Sequence, residues 1–150
     1  MSLRIGVIGL GEAGPLIAGG LQAAGVTVTG FDAATPVNPP VPVAVTIAEA
    51  VAGADIVISI NSSTAARKVA EQIVPLLEPR MIYADLNTGT PALKRSLAAM
   101  FPAGVFADVA IMKPVPGLAE KVPMGVAGEA ARQFVDLLEP YGLDLEYVSE

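Results

Sequence analysis

The chain has 150 residues, of which 53% are apolar, so it is long enough for a single domain with a substantial core. Its formal charge of −6, from 9 Lys plus Arg against 15 Asp plus Glu, excludes a basic nucleic-acid footprint, and no apolar run reaches the roughly 18 residues of a membrane span. With no cysteine there is no disulfide or thiolate chemistry, and with no histidine the commonest metal ligand and the usual proton carrier are both missing.

Met1-Ser2-Leu3-Arg4 runs directly into the first strand without a targeting pattern, which predicts a cytoplasmic location. Arg4-Ile5-Gly6-Val7-Ile8 is that strand. Gly9-Leu10-Gly11-Glu12-Ala13-Gly14 is a G-x-G-x-x-G turn, and it opens a helix with Pro15 in its first turn, Leu16, Ile17 and Leu21 inward, and Gly25 at its end. Val26 to Phe31 reads as the next strand and closes on Asp32. The proline-rich stretch from Ala33 to Pro42 must be a loop. Val43-Ala44-Val45 is a short third strand, and Thr46 with Glu49 forms a capping box for a short helix.

Ile56 to Ile60 is apolar throughout, as a strand covered on both faces must be. Asn61-Ser62-Ser63-Thr64 follows as a loop, and the spacing of Ala66, Val69, Ala70, Ile73 and Leu77 predicts a helix from Ala65 to Leu77. Met81 to Asp85 is a strand, Asn87-Thr88-Gly89 a turn, and Thr90 with Pro91 opens a helix with Leu93, Leu97 and Met100 inward. Val105 to Asp108 and Gly125 to Ala127 are further strands. Glu129 to Tyr141 is a helix with Phe134, Leu137 and Leu138 inward, ended by Gly142, and Leu143 to Tyr147 alternates like an edge strand. Strands alternating with helices define the fold class as α/β: one domain with a doubly wound, mostly parallel sheet.

A glycine turn between a strand and a helix, with an acid closing the next strand, is the setting of a dinucleotide-binding Rossmann unit. Gly9 permits the tight turn, Gly11 lets the backbone approach a pyrophosphate, and Gly14 allows close packing behind it. The helix amides face the anion. Leu10, Glu12 and Ala13 complete the loop, and Asp32 suits a ribose diol while repelling a 2′-phosphate, so NAD is preferred over NADP. Ligands in such sheets sit outside the strand C-termini, which adds Asn61, Ser62 and Asn87 to the cofactor side; Asn61 to Thr64 equally suit a helix cap, and Asn87 an ordinary turn. Asp85 and Asp108 end strands without an evident proton-transfer partner, and Lys113 lies in a strand-end loop. No metal site is expected.

Together, Ile5 to Gly14, Ala54 to Ser59 and Asp85-Leu86-Asn87-Thr88 resemble the β-hydroxyacid dehydrogenases, the family of 3-hydroxyisobutyrate and 6-phosphogluconate dehydrogenases. The resemblance covers the whole chain. It implies an NAD-binding domain of an oxidoreductase acting on a small hydroxyacid, with Asn87 and Thr88 near nicotinamide and substrate. Met112 and Lys113 then stand where many members hold the substrate carboxylate with a serine and glycines, a pattern that Met112, Lys113 and Pro114 break. It also implies that the catalytic lysine belongs to a helix starting near Glu150, followed by a helical domain that completes the pocket and a dimer. The 150 residues alone are therefore expected not to turn over substrate. Two other readings stay open from the residues: a non-catalytic nucleotide-sensing or interaction module, and an FAD-binding domain, for which glutamate is more usual at position 32.

Overall fold

The computed structural model describes residues 3–149. Met1 and Ser2, part of the segment read for a targeting signal, and Glu150, where the resemblance puts a further helix, lie outside the described residues. Seven strands form one sheet in the order β2-β1-β3-β4-β5-β6-β7: β1 (Arg4–Ile8), β2 (Thr27–Phe31), β3 (Ile56–Ser59), β4 (Ile82–Asp85), β5 (Phe106–Ile111), β6 (Met124–Ala127) and β7 (Leu145–Ser149). All neighbouring pairs are parallel except β5 and β6. Helices α1 (Ala13–Ala23) and α5 (Ala131–Leu138) bury one face, whereas α2 (Ile47–Val51), α3 (Ser63–Ile73) and α4 (Pro91–Ala98) bury the other. This is the doubly wound, mostly parallel arrangement expected. Strands β1, β3 and β4 are covered on both sides, which explains their nearly unbroken apolar runs.

Local chemistry accounts for most boundaries. The Thr46 hydroxyl accepts from the Glu49 amide, Ser62 from that of Ala65, and Thr90 from that of Leu93, so α2, α3 and α4 each start at a side-chain cap. Thr90→Ala is expected to cost about 1 kcal/mol of unfolding free energy by urea denaturation, because the Leu93 amide loses its acceptor.

Several expectations need correction. Residues 43–45 form no strand: Val43 makes one isolated bridge to Gly30, and Val45 is 84% exposed. The Gly30 amide donates to the Pro42 carbonyl and the Ala44 amide to the Gly30 carbonyl; the chain then turns away into the Thr46 cap. Leu16 points outward, because the buried stripe of α1 is Gly14, Ile17, Ala18 and Leu21. Leu137 is likewise exposed on α5, whose inner stripe is Ala131, Phe134, Val135 and Leu138. Both errors weigh apolar type over the 3.6-residue period. Finally, the helix expected over 129–141 is α5 alone followed by a 3-10 turn at Glu139–Tyr141, the helix expected over 65–77 is α3 followed by a 3-10 turn at Val74–Leu76, and the strand expected to end at Asp108 runs on to Ile111 because it pairs with β6 as far as Met124.

The reversal at β6 follows from the segment between β5 and β6. Val115 and Val122 bury against the α1 side of the core, and a 3-10 turn at Ala119–Lys121 packs on α1. A parallel return would need a crossover helix, which this segment does not form, so β6 comes back antiparallel.

Candidate functional site

The strand order reverses at β1, which has β2 on one side and β3 on the other, so a crevice opens outside the C-terminal ends of β1 and β3. The glycine turn forms its floor. Gly9 has φ +117°, and a Cβ there would run into the Ile60 carbonyl oxygen. At Gly14 a Cβ would strike the Gly9 carbonyl oxygen, so the turn is packed against the first turn of α1. Gly11 differs: nothing lies within 4 Å of the Cβ position, which faces open space. No side chain caps α1, in contrast to α2, α3 and α4. Its N-terminal amides and the positive end of its dipole are therefore not neutralised by a cap, and the open space at Gly11 admits an anion to them. Glu12 is exposed and Ala13 half-buried beside it.

Asp32 ends β2 and does more than its spacing suggests. Its Oδ2 accepts from the Leu10 amide at 2.6 Å and its Oδ1 from the Ala34 amide at 2.9 Å. Leu10 is thus engaged at its backbone, while its side chain is buried in the core. Each carboxylate oxygen retains lone-pair capacity for further donors. A cleft of about 390 Å³ extends from Gly9 and Asp32 between Phe31 and Ile47, with Ala65, Lys68, Val69 and Gln72 of α3 as its far wall. Sequence reading missed these α3 residues, whose i, i+3 and i+4 spacing offered the one available signal.

The Asn61 and Asn87 turns meet. The Asn61 amide donates a short hydrogen bond to Asn87 Oδ1, and Asn61 Nδ2 donates to the Ile8 carbonyl at 3.0 Å. Ser59, fully buried at the end of β3, accepts from Asn61 Nδ2 at 3.1 Å and from Asn87 Nδ2 at 3.0 Å. Ser62 is exposed and spends its hydroxyl on the α3 cap, also lying 2.9 Å from Thr64 Oγ1.

Asn87 and Thr88 line a second cleft, of about 300 Å³, with Lys94 and Asp108, bounded by Ile111. Met112 and Lys113 are exposed beyond that boundary and do not join them. The acids left without partners in the sequence do have one. Lys94 Nζ donates to Asp108 Oδ1 at 2.7 Å and to the Asp85 carbonyl at 3.2 Å, and lies 3.7 Å from Asp85 Oδ1. Asp85 Oδ1 also accepts from the Asn87 amide at 2.7 Å, while its Oδ2 is buried without a partner. Burial pushes the Asp85 carboxyl above the ordinary carboxylate range, against the opposing pull of the Lys94 ammonium and the Asn87 hydrogen bonds. Lys94 stands three residues before the buried Leu97, on the inward face of α4; that spacing was the clue in the sequence. Among the described residues no group of acids could hold a metal, and no helix is long and apolar enough to cross a membrane.

A glycine turn at a strand-order switch point, open at Gly11 and uncapped at its helix, defines a dinucleotide-binding Rossmann domain. The sequence pattern of the NAD binding domain of 6-phosphogluconate dehydrogenase matches residues 4–125, and the chain belongs to that family of NAD-binding domains. No curated protein matches it in sequence. Among solved structures, a conserved hypothetical protein from Sinorhizobium meliloti is 32% identical, with TM-score 0.89 over 100% of this chain and 55% of its own. A conserved protein of unknown function, described as structurally similar to 3-hydroxyacid dehydrogenases, is 26% identical with TM-score 0.82, covering 99% of this chain and 57% of its own. An imine reductase variant from Myxococcus stipitatus in complex with NAD+, at 23% identity and TM-score 0.76 over 100% of this chain and 56% of its own, shares the fold. The chain spans little more than half the length of each.

Proposed function

We propose that this chain is the NAD-binding part of an oxidoreductase acting on a small hydroxyacid. The observation that carries the cofactor half of this reading is the open approach to Gly11 at the uncapped start of α1, with Asp32 closing the neighbouring strand. The Gly11, Glu12 and Ala13 backbone would receive the diphosphate, and Asp32 the adenosine ribose. The Phe31 and Ile47 cleft would take the base, leaving the nicotinamide half toward Asn61, Asn87 and Thr88. The bound cofactor supplies hydride transfer; the chain's residues bind it, orient it and wall off one side of the substrate space. The hydroxyacid class is supported by the family resemblance and by the fold shared with a protein similar to 3-hydroxyacid dehydrogenases. In this reading the proton carrier comes from a helical segment outside residues 1–150, a helical domain or second subunit completes the pocket, and the enzyme works in the cytoplasm.

Calorimetric titration with NAD and NADP tests the cofactor assignment. NAD should bind more tightly, and Asp32→Ala should weaken it about tenfold to a hundredfold, the worth of hydrogen bonds to a charged acceptor, while narrowing its lead over NADP. Because Asp32 also holds the Leu10 amide, Asp32→Asn, which keeps an acceptor but not the charge, separates loop support from phosphate exclusion. Equal affinities for both cofactors in the parent would remove the role given to Asp32. The hydroxyacid class is tested on the complete enzyme: NAD-dependent oxidation of small hydroxyacids supports it, and turnover of other substrates alone overturns it.

A further inference from the structure

Polar groups at the ends of β3 and β4 and inside β5 form one connected chain. Lys94, from α4, bonds Asp108 within β5 and fastens Asp85 at both its carbonyl and its carboxylate. The Asp85 carboxylate holds the Asn87 amide, and the Asn87 side chain holds the Asn61 amide and the Ser59 hydroxyl. Among the described residues only one acceptor, Ser59, meets the two Asn87 Nδ2 hydrogens. Burying a cation with two carboxylates is weak evidence for stability, since apolar side chains of the same volume often do as well. What such a cluster does supply is a fixed geometry, and here that geometry belongs to the turn carrying Asn87.

We infer that Lys94 is a positioning residue for the nicotinamide half of the cofactor, acting through Asp85 on Asn87. This rests on the dinucleotide reading above. Without the ammonium the 85–87 turn loses the anchor that ties it to α4 and β5, and Asn87 no longer sits at a fixed place beside Asn61. The chain of bonds approaches the glycine turn only through Asn61 at the Ile8 carbonyl, and Asp32 takes no part in it, so recognition of the adenosine diphosphate half should change much less.

The test is calorimetric titration of the full chain at pH 7 with NAD and with ADP-ribose, which lacks the nicotinamide. The parent should bind NAD more tightly than ADP-ribose. Lys94→Met should weaken NAD about tenfold, the worth of one or two hydrogen bonds, with ADP-ribose changed less than about twofold. Lys94→Arg, which keeps a cation at the site, should recover part of the loss, as a merely space-filling role would not require. Should Lys94→Met fail to fold, Asp85→Asn, which keeps an oxygen for the Asn87 amide but loses the charge facing Lys94, should shift the NAD to ADP-ribose ratio in the same direction. The inference is overturned if both ligands weaken equally, if the ratio stays at its parental value in the folded variants, or if the parent does not distinguish the two ligands. A parent that binds neither ligand overturns the dinucleotide reading itself, and this inference with it.

Discussion

Gly14→Val is expected to destabilise the domain severely, whereas Gly11→Val should leave it folded but unable to hold the dinucleotide. At position 14 the first added carbon runs into the Gly9 carbonyl oxygen and comes within 2.9 Å of its carbon, both of them backbone atoms that cannot rotate aside. Gly9 itself cannot yield, because its φ of +117° and the Ile60 carbonyl behind it hold the turn in place. Such overpacking is expected to cost about 3 to 5 kcal/mol, a large fraction of the 5 to 15 kcal/mol typical of a domain. At position 11 the side chain enters open space, so stability should stay within about 0.5 kcal/mol of the parent. In the proposed binding mode the same side chain would fill the space of the diphosphate, and NAD affinity should fall at least a hundredfold, about 3 kcal/mol. Chemical denaturation and calorimetry on the two variants read both effects. Parental affinity in Gly11→Val would mean that the cofactor lies elsewhere.

The second large effect is expected at Lys94. Its side chain is 11% exposed and that of Asp85 fully buried, so Lys94→Met leaves a carboxylate in the interior without its cation, a loss of about 3 kcal/mol at neutral pH. Asp85 already titrates above its ordinary value of 3.8, because burial outweighs the ammonium. Its charged form therefore costs stability. That cost is absent well below the unfolded value and complete once the pH exceeds the folded one. Removing Lys94 takes away an influence that lowers this pKa, so the folded value rises further and the cost at neutral pH grows. The deficit of Lys94→Met relative to the parent should accordingly shrink as pH falls from 7 to 4, where Asp85 is increasingly neutral. Asp85→Asn, with no charge to bury, should lose most of this pH dependence. Urea denaturation of the three proteins across that range measures it, and a deficit that is constant with pH would show that Asp85 does not carry the effect.

Much of the glycine-turn side of the crevice was legible in the chain because its signals are local. The Gly9 to Gly14 turn, the Ser62 and Thr90 caps and the apolar runs of β1, β3 and β4 each depend on residues a few positions apart. Asn87 was visible as a turn residue at a strand end. The second cleft was not legible in the same way. Met112 and Lys113 were drawn in by the family resemblance, yet the lining of the cleft stops at Ile111 and does not include them. Lys94 went unnoticed because its acceptors lie on two different strands, and it reads as an ordinary helix lysine until α4 is laid across β4 and β5.

The alternation of strands and helices, the glycine turn and the acid that follows β2 are all written locally in the chain, since steric limits on φ and ψ, backbone capping and hydrophobic period act within one element. Long-range packing is what sets β6 antiparallel, turns Leu16 and Leu137 outward, and joins Asp85, Asn87, Lys94 and the partly exposed Asp108 in one polar cluster. These depend on which surfaces bury one another and on the desolvation of charges brought together from separate elements, and neither has a local signature along the chain.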